Sequence, residues 1–136
     1  MPLLLWARKG RDQDRKVGVS TFIVLGNFKN MINRLQYLSE LLEKSPRDSF
    51  LLFALAKELE SAGNDGQSLV YYLRLKEYDP AYVGLYYHLG KLYERQEDFQ
   101  NAIQTYKQGI QISLAAGDRH AQSELQGALL NLEDPE

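Results

Sequence analysis

Residues 80–109 read PAYVGLYYHLGKLYERQEDFQNAIQTYKQG, and residues 46–75 read PRDSFLLFALAKELESAGNDGQSLVYYLRL. Laid one on the other at an offset of 34, the two stretches agree in residue type and in residue size. Pro46 falls on Pro80, Leu51 on Leu85, Leu55 on Leu89, Ala56 on Gly90, Lys57 on Lys91, Leu59 on Tyr93 and Glu60 on Glu94. Further along, Ser68 falls on Ala102, Leu69 on Ile103 and Tyr72 on Tyr106. Apolar residues recur three and four apart in both halves of each stretch, the spacing that paints one stripe along an α-helix. Ala56 and Gly90 lie inside such stripes, where glycine costs about 1 kcal/mol relative to alanine. A small side chain there implies that a neighbouring helix comes close. A helix pair repeated at a fixed period buries its apolar face by stacking on its neighbours.

The same periodicity extends in both directions. Ile32, Leu35, Leu38, Leu41 and Leu42 form a helical face that Ser45-Pro46 ends. A helix over 49–61 follows, capped by Asp48 or Ser49, with Leu51, Leu52, Leu55, Ala56 and Leu59 turned inward. Ala62-Gly63-Asn64-Asp65-Gly66 is a turn. Leu69, Tyr72, Leu73 and Leu75 supply the stripe of a third helix, which Asp79-Pro80 closes. A helix capped by Asp98 carries Ile103, Tyr106, Ile110 and Leu114, and Ala116-Gly117-Asp118 turns the chain into a last helix with Ala121, Leu125, Ala128, Leu129 and Leu132 on one side. The expectation is six helices, at 32–44, 49–61, 67–77, 83–95, 99–115 and 119–132, with 133–136 fraying.

These residues carry a resemblance. The pattern Tyr86-x-x-Leu89-Gly90-x-x-Tyr93 followed by Ala102-x-x-x-Tyr106-x-x-Gly109 is similar to the tetratricopeptide repeat, and Leu52-x-x-Leu55-Ala56-x-x-Leu59 with Ser68-x-x-x-Tyr72-x-x-Leu75 and Pro80 follows it more loosely. Leu75 is large where that pattern has a small residue, and Leu114 stands where a further proline belongs. The resemblance implies an all-α fold, a right-handed superhelical stack of antiparallel helix hairpins. It divides the chain into a half repeat at 31–46, repeats at 49–82 and 83–116 and a capping helix at 119–132, preceded by a non-repeat lead, 1–30.

The lead is of another kind. A short apolar run, Leu3-Leu4-Leu5-Trp6-Ala7, precedes the charged stretch from Arg8 to Lys16, the reverse of a secretory signal. Val17 to Phe28 is apolar but interrupted by Gly18, Ser20, Thr21, Gly26 and Asn27, and is shorter than the ~20 residues of a bilayer span. Val17 to Leu25 has the composition of a β-strand, with nothing in a helical protein to pair with. Three readings stand open: a disordered or loosely docked lead, an extended peptide lying on the helices, or a written start upstream of the true one at Met31.

Composition narrows the function. Among 136 residues, 16 Lys and Arg meet 18 Asp and Glu, a net charge of −2 that offers no general attraction to nucleic acid or an anionic membrane. The absence of cysteine removes disulfides, thiolate nucleophiles and Cys-ligated zinc, and favours the cytoplasm. No metalloprotease, nucleophile-elbow or phosphate-loop motif is present. His88 reads as a packing or surface residue, and His120 opens a helix. The sequence therefore names no catalytic, cofactor-binding or metal-binding residue and points to a scaffold for a protein or peptide partner. The alternative is a self-associating protein, a homodimer built on the apolar lead or on Tyr71, Tyr72, Tyr78, Tyr82 and Tyr86.

In each repeat's first helix, the stripe beside the packed one is free to line a concave groove. It comprises Phe50, Phe53, Lys57 and Glu60, then Gly84, Tyr87, Lys91, Glu94 and Arg95. Phe53 matches Tyr87 and Lys57 matches Lys91 under the shift, which gives an aromatic floor beside a pair of lysines. Some members of the resembled family grip a partner's terminal carboxylate with Lys, Asn and Arg along this groove; here Lys57 occupies the place of the usual Asn.

Overall fold

The computed structural model describes residues 12–133. Every regular element among them is an α-helix: α1 (Asp12–Lys44), α2 (Ser49–Ser61), α3 (Asp65–Tyr78), α4 (Gly84–Arg95), α5 (Phe99–Ala116) and α6 (Arg119–Glu133). The opening of the lead, 1–11, lies outside the described residues. So do 134–136 of the tail expected to fray, while Glu133 still belongs to α6.

The chain forms two compact units, Met1–Tyr37 and Leu38–Glu136. The described part of the first is a single helix, which begins at Asp12 rather than at the expected residue 32. The stretch with strand-like composition, 17–25, is helical. A strand needs a partner for its amides, whereas a helix satisfies them within itself, and β-branched residues resist helix by only a few tenths of a kcal/mol each. Ile32, expected to face inward, is exposed, together with Leu25 and Phe28.

The second unit stacks hairpins. α2 packs on α3 and α4 on α5; α3 meets α4 across the repeat boundary, and α6 lies on both α5 and α4. Four of the helices start on a side-chain cap. Asp48 accepts from the Leu51 amide at 3.0 Å, Asn64 from Gln67 at 3.2 Å, Asp98 from Asn101 at 3.3 Å and Asp118 from Ala121 at 3.0 Å. Each such bond is worth about 1 kcal/mol.

The core is the repeat seen from inside. Leu52, Leu55, Ala56, Tyr72 and Leu75 are buried in the first hairpin, and Leu85, Tyr86, Leu89, Leu92, Ala102 and Tyr106 in the second. Buried Ser68 donates to the Ala56 carbonyl at 2.8 Å, which satisfies its hydroxyl. A methyl group on Gly90 would collide with the Tyr106 ring, and one on Gly109 with Tyr86, so both glycines admit the close helix approach that their spacing implies. Tyr72 and Tyr86 are buried and are unavailable to any dimer contact. Leu73 and Leu114, expected to pack, are exposed, because the buried faces of α3 and α5 run through Ser68, Tyr72 and Leu75 and through Tyr106, Gly109 and Ser113.

Candidate interaction groove

Helices α2 and α4 are the first helices of the two hairpins, and they bring most of the expected residues to one face, which the capping helix α6 extends. Phe53, Lys57 and Glu60 on α2 are half-buried, as are Tyr87, Lys91 and Glu94 on α4. Arg95 is more exposed, at the end of α4. Phe50, in the first turn of α2, is 67 % exposed and stands outside the cluster.

The rings form a row across the repeat boundary. Tyr82 lies 5.3 Å from Phe53, Phe53 lies 5.4 Å from His88, and His88 lies 5.6 Å from Tyr87, centroid to centroid. The contacts of His88 are edge-on, the arrangement favoured by the charge distribution of aromatic faces and edges. A small cleft opens beside the row, lined by Val83, Gly84, Tyr87 and His88 on one side and Ala121, Glu124 and Leu125 on the other.

The charged residues of the face differ in their partners. Lys91 pairs with Glu94 at 3.4 Å and lies 5.6 Å over the Tyr87 ring. Arg95 reaches back to the first hairpin, 2.7 Å from Glu60 and 3.2 Å from Asp65. Glu60 and Glu94 also accept the hydroxyls of Tyr72 and Tyr106, so both carboxylates hold their own hairpins together. Burial, and then the carboxylate, pushes each of those tyrosine hydroxyls well above the usual phenol range. Lys57 differs: among the described residues its partner is a neutral ring, with Nζ 3.1 Å from His88 Nδ1. An ammonium only donates, so Nδ1 accepts and Nε2 carries the ring proton. Burial, reinforced by Lys57, lowers the pKa of His88 below its ordinary value.

His88 is the residue of this face that the repeat pattern missed. Under the 34-residue shift it falls on Ala54. The signal was a disagreement between repeats on an otherwise matched face, which a search for agreement passes over. His120 lies outside the row and pairs with Glu124 at 2.7 Å. Among the described residues, no group of three or more His, Asp and Glu is placed to hold a metal ion, and no helix is long and apolar enough to cross a membrane.

The model of the tetratricopeptide repeat matches residues 83–115. A TPR repeat-containing protein of Pseudomonas aeruginosa is 30% identical over 88 residues, which take in 65% of this chain and 84% of that protein. The chain belongs to the tetratricopeptide repeat family. A tetratricopeptide repeat domain protein of Salinibacter ruber is 46% identical in its crystal structure, with a TM-score of 0.63 over 65% of this chain and 99% of that one. Its solution structure gives a TM-score of 0.64 over 67% of this chain and 92% of that one. The crystal structure of MamA, at 15% identity, shares the fold over 96% of this chain and 81% of its own, with a TM-score of 0.58. Tetratricopeptide repeats serve as protein-interaction scaffolds and are typically non-catalytic, and that general role is the one this chain's repeats carry.

Proposed function

We propose that the face of α2, α4 and α6 holds an extended segment of a protein partner. Phe53, His88 and Tyr87 form its floor, and Lys57 and Lys91 stand along its rim. The observation that carries this reading is the ring row, half-buried and continuous from one repeat into the next. Rigid aromatic surface gives contact area at little conformational cost, and a nearby cation steers and orients an acidic partner. The test starts from a partner captured from cell extract by the wild-type chain, followed by binding isotherms at two salt concentrations. Lys57→Glu weakens binding by about tenfold or more, about 1.4 kcal/mol, and leaves the melting temperature unchanged. Lys91→Glu weakens it less, because Glu94 already offsets that charge. Undiminished binding by Lys57→Glu, with an intact fold, ends this reading.

Self-association is the second reading, favoured by Leu25, Phe28 and Ile32, exposed at helical spacing along α1. A mass in solution that is constant over a wide concentration range, and equal to one chain, removes it.

A further inference from the structure

We infer that Lys57 and His88 form an anion subsite for a single aspartate or glutamate side chain of the partner, and that His88 takes up a proton when that side chain docks. This rests on the groove reading and names the chemistry of its ligand.

The three cations of the face are not equivalent. Lys91 and Arg95 already face carboxylates, at 3.4 Å and 2.7 Å. Lys57 is half-buried and donates to a neutral imidazole. A partly desolvated ammonium with only a neutral acceptor is the position on this face where an incoming negative charge gains most. Phe53 and Tyr87 flank the pair through their contacts with His88, so the residues next to the acidic one in the ligand are apolar. Glu60, Glu94 and Glu124 stand around the same face. They repel a run of acids and limit the fit to one carboxylate.

The proton follows from the geometry. The charged groups that act on His88 are Lys57 and Glu60 from α2, Glu124 from α6 and Arg95 from its own helix. In the free protein, burial, Lys57 and Arg95 outweigh the two carboxylates and keep the His88 pKa below its ordinary value. A carboxylate that accepts from Lys57 Nζ draws the ammonium off Nδ1 and adds a negative charge beside the ring. The ring nitrogen then takes up a proton from solution and keeps it, and the new N–H donates a hydrogen bond to the second carboxylate oxygen. Binding therefore takes up as much as one proton. Affinity rises as pH falls between the higher pKa of the bound state and the lower pKa of the free state, by at most about tenfold per pH unit. Stability of the free chain runs the other way. The neutral ring is favoured in the folded state, so its contribution is present above the ordinary histidine pKa of 6.5 and is lost as pH falls through the folded value.

The full chain is titrated with a capped hexapeptide that carries one glutamate between leucine and phenylalanine, and with its glutamine counterpart. Amide and imidazole NMR signals are followed at about pH 5.5 and about pH 7.5. The glutamate peptide shifts Lys57, His88 and Tyr87, binds at least about threefold tighter at the lower pH, and raises the His88 pKa. His88→Asn removes the pH dependence, and Lys57→Gln removes the preference for glutamate over glutamine. Because His88→Asn alters packing, the wild-type His88 titration with and without peptide is the second readout. Equal binding of the two peptides in the groove, or a His88 pKa unmoved by the glutamate peptide, overturns the subsite and leaves the groove standing. No shift in the groove with either peptide overturns both.

Discussion

In the hairpin α4/α5, Gly109 lies against Tyr86; at the same two positions of α2/α3 stand Leu75 and Leu52. All four are buried. The departure of Leu75 from the small residue of the family pattern thus has a counterpart on the facing helix, where a leucine replaces a tyrosine. A second pair shows no such trade: Tyr106 covers Gly90, and its counterpart Tyr72 is kept where the glycine is replaced by Ala56. A third difference lies in the turn. Gly63 and Glu97, equivalent under the shift, both have left-handed backbone, at φ 78° and 59°. In both turns the amides around them bond the same carbonyls: Gly63 to Glu60 and Glu97 to Glu94, Asn64 to Leu59 and Asp98 to Tyr93. What the two repeats share is the path of the turn and a filled contact between the helices, while the closeness of the helices follows the residues that meet there.

The largest effect is expected from writing the first repeat's residue into the second. Gly109→Leu forces a side chain into space held by Tyr86 and by Leu125, whose Cδ1 would lie 3.0 Å from the first added carbon. A cost of about 3 kcal/mol or more is expected in urea unfolding. Adding Tyr86→Leu, the pair found in the first repeat, removes the ring but keeps the Cβ that the added carbon meets first, so it returns only part of the loss, about 1 kcal/mol. A double variant no more stable than the single one breaks the compensation argument.

A smaller loss follows from Gly90→Ala. The added methyl displaces the Tyr106 ring, whose hydroxyl is held by Glu94. Overpacking of about 1–3 kcal/mol is offset by about 1 kcal/mol of helix propensity. Thermal unfolding should show a net loss. A neutral or stabilising result would mean that α5 relaxes freely into the spacing that α3 adopts over Ala56.

The turn gives the smallest changes, with opposite signs in the two repeats. Glu97→Gly relieves a left-handed non-glycine residue and gains about 0.5–1 kcal/mol, while Gly63→Glu loses about 1 kcal/mol. Equal and negligible shifts in both would show that the local bonds of Glu97 already absorb the strain.

Much of this architecture was legible because it is local. The caps at Asp48 and Asp98, the breaks at Pro46 and Pro80 and the stripe through Leu55, Ala56 and Leu59 are read within one or two helical turns. The stretch before Met31 was not. Its helix continues into 31–44 without a cap or a break to announce it, and its β-branched residues pulled the reading towards a strand. In the groove, Phe53, Lys57, Tyr87 and Lys91 were legible as a matched face. Phe50 was not separable from them, because helical spacing does not say where along its length the face ends.

The sequence alone determined the 34-residue period, the hairpin pairing and the family, because each depends on residue type at short or fixed separations. Only the tertiary structure decided which charges are already neutralised. Arg95 finds Glu60 35 residues away, and Lys57 finds His88 31 residues away. Glu60 and Glu94, expected to line the groove, each bind a buried tyrosine of the following helix. The physical reason is that a repeat encodes a backbone path, whereas charge pairing depends on which side-chain tips meet when two such paths are laid side by side.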